Sequence, residues 1–283
     1  MTKGQHAIDI RQPKGWALIF RYAAWVSVAV LFLLPVFWMI SSAVKPDYAI
    51  FASPPVWWPD DPQWSNFPES LTVLPFGRFA INTLLIAILN IIGHLLSCTV
   101  IAYGFARLKA PGSKFFFLLM LTTLMLPYPI TMVPLYIIFS RLGWVNSFLP
   151  LIVPAFFGQP FYIFLLRQSF RQLPKDLEDA AAIDGAGTLQ ILWHIILPMA
   201  RPALATVAIF TFQYVWNDFL APLIFLHDQR KYTLMLGLSF FRGSYQVNWA
   251  YLMASSLVIS LPVILVYFFA QRQFIKGLAI STK

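Results

Sequence analysis

The sequence predicts an all-α, polytopic membrane protein with six transmembrane helices, and three observations carry that prediction. Of 283 residues, 59% are hydrophobic and only 11% charged, against roughly 25% charged in an average soluble domain. Six stretches are long and apolar enough to cross a ~30 Å hydrocarbon core, which takes about 20 residues: 16–44, 79–106, 115–140, 148–167, 203–226 and 249–271. The basic residues between them alternate in density from one connection to the next, as the positive-inside rule requires of a multi-span chain. These observations exclude a soluble two-domain enzyme, a disordered chain and a disulfide-stapled domain. Cys98 is the single cysteine and has no partner for an internal disulfide.

Taken in order, residues 1–15 form an N-terminal cytoplasmic segment carrying Lys3, Arg11 and Lys14. The stretch 16–44 is too long for a signal peptide and runs into Lys45-Pro46-Asp47 without a small-residue cleavage site, so it reads as an uncleaved first span. The outer loop 45–78 is rich in Pro and Trp, including Pro54-Pro55, Trp57-Trp58-Pro59 and Trp64. Trp prefers the membrane interface, so the loop is expected to lie extended along the outer surface, as a cap or as a docking face. Residues 79–271 form the five-span core. In the second span Asn90, His94, Ser97, Cys98 and Thr99 suit interhelical hydrogen bonding. Arg107 at its end is expected to snorkel to the inner headgroups, and Lys109–Lys114 to be a solvated turn. Pro35, Pro127, Pro129, Pro134 and Pro262 mark kinks or ends of spans.

The connection 168–202 is too long for a structureless link inside a compact unit. It carries helix signals instead. Pro174 suits a first helical position, Asp176, Glu178 and Asp179 complement the helix dipole there, Ala180–Ala182 are strong helix formers, and Gly185 suits a left-handed C-terminal cap. A second helical piece over 188–196 is expected to stop before Pro198. Leu177, Ala181 and Asp184 share one face, and its small alanine would let another backbone approach closely. The fifth span closes with Gln213, Tyr214, Trp216, Asn217 and Asp218, which offer amides, a carboxylate and aromatic faces suited to a sugar. The same residues suit a structural network with a neighbouring span, and the pattern alone leaves both open. The last segment, 272–283, is a cytoplasmic tail.

Fourteen of the 20 Lys and Arg residues fall on one side: the N-terminus, the second and fourth connections, and the tail. With five acids there, that face holds the whole net charge of +9, and the other face is neutral. Both termini are therefore expected in the cytoplasm. Topology accounts for the charge that would otherwise suggest a nucleic-acid partner. The sequence has no phosphate-binding Gly-x-x-x-x-Gly-Lys-Ser/Thr, no Cys/His metal cluster, no His-Glu-x-x-His and no Gly-x-Ser-x-Gly. It offers no catalytic residues, no metal site and no enzyme chemistry of its own.

Glu178-Asp-Ala-Ala-Ala-Ile-Asp-Gly-Ala186, followed by Ile196-Leu197-Pro198 and Pro202, resembles the EAA loop of ABC-importer permeases. The match is nearest the six-span subunit of the maltose-type carbohydrate-uptake family. It extends over nearly the whole chain, through Asn82-Thr83, Ala102–Leu108, Met125-Leu126-Pro127, Pro134-Leu135-Tyr136, Leu142-Gly143, Trp216–Leu220 and Pro222-Leu223. The tail departs from the usual family ending, closing on Leu278–Lys283. The resemblance implies a type I ABC importer permease fold in a bacterial or archaeal inner membrane. It implies a second homologous permease, two ATPase subunits that hold ATP and Mg, and an extracytoplasmic solute-binding protein as partners, with lipid around them and no nucleic acid. It places the ATPase contact on Glu178, Asp179, Ala180, Ala181, Asp184 and Gly185, with the family's loop glutamate falling on Asp179, or Glu178 taking that role. It also makes a sugar or oligosaccharide the expected cargo, with Gln213, Tyr214, Trp216, Asn217 and Asp218 as pathway candidates. A self-contained secondary transporter would instead need internal repeats and midplane charge pairs, and a membrane enzyme would need a catalytic constellation.

Overall fold

The computed structural model describes residues 15–243 and 248–280. Residues 1–14 of the expected segment 1–15 and the last three residues of the tail 272–283 lie outside them. The described chain is helical throughout its ordered elements. These are α1 (Trp16–Ala43), α2 (Asp47–Ile50), α3 (Asn66–Val73), α4 (Phe76–Arg107), α5 (Ser113–Thr122), α6 (Tyr128–Arg141), α7 (Leu149–Ile152), α8 (Pro160–Gln172), α9 (Asp176–Ile183), α10 (Thr188–Ile191), α11 (Leu197–Met199), α12 (Arg201–Trp216), α13 (Leu220–Phe225), α14 (Leu234–Ser239) and α15 (Trp249–Ile280). Among the described residues, four helices or helix runs are long and apolar enough to cross a membrane, and two bent pairs raise the number to six.

Three of the six expected spans are interrupted, the fourth (148–167) at Gly158–Gln159, just before α8. The third, 115–140, bends by 99° between α5 and α6. Pro127 is the N-cap of α6, and it cannot continue α5 because a proline supplies no N–H to the turn before it. The fifth, 203–226, ends at Trp216; the chain turns through Asn217–Phe219 and restarts as α13. Asp218 is therefore not within a span but in the turn that follows α12. The sixth span continues as helix to Ile280, into the stretch expected as a tail.

α4 is the central post. It packs against α8 and α12, and a file of polar side chains along it satisfies backbone groups that the irregular neighbours leave open. Asn82 donates to the carbonyls of Arg230 and Tyr232 (3.0 Å each). Thr83 accepts from the Leu234 amide (3.0 Å). Asn90 donates to the Leu151 carbonyl (2.8 Å), and Ser97 to the Ala155 carbonyl (2.9 Å). His94 Nδ1 meets Thr211 Oγ1 at 3.2 Å and its ring lies edge-on to Tyr162. Non-helical backbone in a membrane survives only where such partners exist. The expected interhelical role of Asn90, His94 and Ser97 is what the structure shows.

The outer loop is not the extended surface strip expected from its prolines. It folds into α2 and α3 and wraps the end of α1. Ser41 donates to the Trp57 carbonyl, Asn66 donates to the carbonyls of Ala43 (2.9 Å) and Lys45 (3.2 Å), and Trp57 stands edge-on to Trp38. Carbonyls at a helix end need donors; the loop supplies the Asn66 amide to Ala43 and the Gln63 N–H to the capping Val44 (2.7 Å). Above that collar α1 is exposed along nearly its whole apolar length.

Candidate coupling and pathway sites

The stretch 174–199 forms a compact helix pair. Lys175 caps α9, so Pro174 lies two residues before the first helical position rather than in it. α9 ends in a six-residue cap: Gly185, at φ 84°, donates to the Ala182 carbonyl (3.1 Å), and Ala186 donates to the Ala181 carbonyl (2.9 Å). A left-handed residue is needed at that step, and glycine takes it without steric cost. Helix does not stop before Pro198. α10 passes through a π-helical turn, Leu192–Ile196, directly into α11, which contains Pro198. A proline in register clashes with the carbonyl four residues back; the wider π turn carries that clash. Ile191, Leu192 and Ile196 anchor the second piece in the core around Tyr103, Leu166 and Phe170.

The two carboxylates at the heart of the loop point in different directions. Glu178 turns inward and pairs with Arg107 Nε at 2.8 Å, with both side chains almost fully buried. Arg107 Nη2 also donates to the Leu173 carbonyl (2.6 Å). Arg107 thus ties the end of α4 to α9 instead of snorkelling to headgroups: a buried carboxylate one helix away is a better partner than water at the interface. Burial pushes the Glu178 carboxyl above its usual range, and Arg107 pulls it back only in part. Asp179 and Asp184 are exposed. The face expected from Leu177, Ala181 and Asp184 is divided, because Ala181 packs inward on the core while Leu177 and Asp184 stay exposed. The outward surface is Asp179, Ala180, Asp184 and Gly185, with Ile183 86% exposed and Leu189 and Trp193 beside it. Ile183, Leu189 and Trp193 escape a reading based on charge and glycine, although three large apolar residues in a polar loop are a signal.

The second cluster divides as well. Phe210, Gln213, Tyr214, Asn217 and Asp218 line an open groove of about 830 Å³ together with Gln159, Phe161 and Tyr162. A narrower chamber of about 260 Å³ continues from it, sharing Gln159, Tyr162, Tyr214 and Asp218 and adding Tyr128, Asn90 and His94. Trp216 belongs elsewhere: it is buried, stacks on Phe212 and donates from Nε1 to the Ile259 carbonyl (3.0 Å), joining α12 to α15. Asn217 Nδ2 donates back to the Gln213 carbonyl (2.8 Å), and Asp218 accepts from the Ala221 amide (3.2 Å) in the first turn of α13. The sequence reading missed Tyr128, Gln159 and Tyr162. Tyr128 follows the Pro127 break. Gln159 sits between Gly158, at φ 91°, and Pro160, and caps α8 through the Phe161 amide (2.8 Å). Polar residues at breaks in apolar runs are the signal that would have found them. Chemically, the groove offers three amides, a carboxylate and two phenols beside aromatic faces. Among the described residues no group of His, Cys, Asp and Glu could hold a metal ion.

Comparison with known proteins gives a consistent picture. The family described as "Binding-protein-dependent transport system inner membrane component" matches residues 98–280. A diacetylchitobiose uptake system permease protein of Streptomyces coelicolor is 34% identical, covering 87% of this chain and 82% of its own length. An arabinooligosaccharides transport system permease protein of Halalkalibacterium halodurans is 37% identical over 71% of each chain. Among solved structures, a bacterial ABC transporter involved in the import of the acidic polysaccharide alginate superposes with a TM-score of 0.78 at 23% identity, covering 93% of this chain and 99% of that one.

Proposed function

The chain belongs to the family of binding-protein-dependent transport system inner membrane components, and from that membership we propose that it is the permease half of an ATP-driven importer for a sugar or oligosaccharide. Its relatives include permeases for diacetylchitobiose and arabino-oligosaccharides, and its groove carries the amide, carboxylate and aromatic groups that bind hydroxyls and sugar C–H faces. The groove is open on one side; a second, homologous permease closes it and completes the pathway. The solute arrives on an extracytoplasmic binding protein. ATP and Mg are bound and used by two ATPase subunits, and this chain holds neither. Both termini lie in the cytoplasm, α1 with residues 45–78 forms an outer appendage, and residues 79–271 form the moving core.

The single observation that supports coupling most directly is the division of labour between Glu178 and Asp179. Glu178 is spent internally on Arg107, so motion imposed on α9 passes to α4, the post against which α8 and α12 pack. Asp179, exposed one residue on, is the acid that meets a basic residue in the ATPase groove. Closure of the ATPase dimer moves α9–α11 and switches the packed core between inward- and outward-open states. The test is Asp179→Lys in the purified complex. Like-charge opposition should abolish assembly or substrate-stimulated ATP hydrolysis, whereas Asp179→Glu should be mild; normal stimulation and uptake with the lysine would overturn the docking role.

A further inference from the structure

We infer that the groove between the α4–α5 hairpin and the end of α8 is a binding site for the phosphate of an anionic membrane lipid. The groove, about 650 Å³, is lined by Lys109, Lys114, Arg167 and Arg171 together with Phe105 and the Gly112–Ser113 start of α5. Four cations converge there, and no acid lines it. Among the described residues Lys109, Lys114 and Arg171 form no ion pair. Glu178 is held by Arg107 outside the groove. Arg167 and Arg171 stand one helical turn apart on α8, a repulsive spacing that an anion between them relieves. Arg167 is not a loose surface side chain. Its guanidinium lies 3.9 Å over the Phe117 ring and its Nε donates to the Phe105 carbonyl (3.2 Å), so its remaining donors are held in place at the groove wall. A guanidinium so oriented suits a phosphate's oxygens.

The surroundings select a lipid over a soluble anion. Beyond the basic rim, α5 exposes Phe115, Phe116, Leu118 and Leu119 and buries none of its residues. The same helix therefore presents Lys114 at its first turn, beside the other cations of the groove, and an apolar strip below, the profile of a headgroup with its acyl chains. Basic clusters at the ends of spans attract anionic lipids in this way. The site also adjoins Arg107, so an occupied groove braces the same end of α4 that receives α9.

The assembled permease–ATPase complex, purified with phosphatidylglycerol and phosphatidylcholine present in equal amounts, should retain phosphatidylglycerol preferentially in native mass spectrometry. The triple variant Lys109→Gln, Lys114→Gln, Arg171→Gln should lose that preference by roughly fivefold for each cation removed. A control variant neutralising Arg21, Lys175 and Arg201 removes the same charge from the same face but outside the groove, and should retain the lipid. Equal loss in the control would show a diffuse field and overturn the site, as would equal retention by the triple variant. In a third arm, thermal stabilisation by inorganic phosphate equal to that by phosphatidylglycerol would assign the groove to a soluble anion and overturn the lipid.

Discussion

Adjacent carboxylates in one loop have opposite fates, and the difference is testable residue by residue. Glu178→Ala leaves the Arg107 guanidinium buried without its counter-charge, a loss of roughly 3–5 kcal/mol in comparable pairs. The complex should melt at lower temperature and hydrolyse ATP without coupling it to uptake. The double variant Arg107→Ala, Glu178→Ala should recover part of that melting temperature, because no orphan charge remains; strict additivity of the two changes would disprove the pair. In the other cluster, Trp216→Phe removes one hydrogen bond to Ile259, about 1 kcal/mol, and should lower thermal stability while uptake per folded complex stays constant. Asn217→Ala, which alters the groove wall, should lower uptake while assembly, followed by size-exclusion chromatography, is unchanged. Reversal of these two patterns would exchange the roles of the residues. Chemistry at this scale was half legible in the sequence. The Gln213–Asp218 run announced itself by polarity, but which members face the groove depends on where α12 stops.

Between helices, backbone freedom decides what can pack. A Cβ at Gly237 would lie 2.3 Å from Phe79 Cδ2, and the Phe79 ring is fully buried. Gly237→Ala should therefore destabilise the α4–α14 contact by about 1–3 kcal/mol, the usual cost of overpacking, seen as a lower melting temperature of the complex. Gly185 has open space around it but a positive φ. Alanine there costs roughly 1–2 kcal/mol of strain and should loosen the end of α9, weakening ATPase coupling more than global stability. The acidic first turn of α9 and its glycine cap were readable because they are local, whereas its start was read two residues too early, at Pro174. The π turn before Pro198 was not. A proline reads as a stop unless the surrounding core holds the helix together, and here Leu192 and Ile196 do so.

For the molecule as a whole, the asymmetry of charge predicts which way it sits, and exposure shows which surfaces must be covered. With single cysteines in a Cys98→Ser background, Asp60→Cys should react with a membrane-impermeant maleimide in intact cells. Lys175→Cys should react only after permeabilisation. Labelling of both from outside would refute the orientation. α1 exposes apolar side chains on all sides from Trp16 to Phe37, so only lipid or another chain can satisfy it. The importer reading makes a further demand: the cognate binding protein should be stabilised in a thermal-shift screen by a sugar or oligosaccharide and not by amino acids or metal ions.

The sequence by itself determined the solvent, the number of apolar runs, the asymmetry of charge and the acidic, glycine-capped loop, since each depends on residue type or on neighbours within a few positions. The tertiary structure decided what depends on distance through space. It bent the third span by 99° at Pro127 and moved Asp218 out of the fifth. It buried Glu178 against an arginine 71 positions earlier, turned Trp216 away from the groove, and brought Gln159 and Tyr162 into it and Tyr128 into the adjoining chamber. The physical reason is the low dielectric of a packed helical bundle. A charge or an open carbonyl there must find a partner, and which partner lies within reach is a property of the packing.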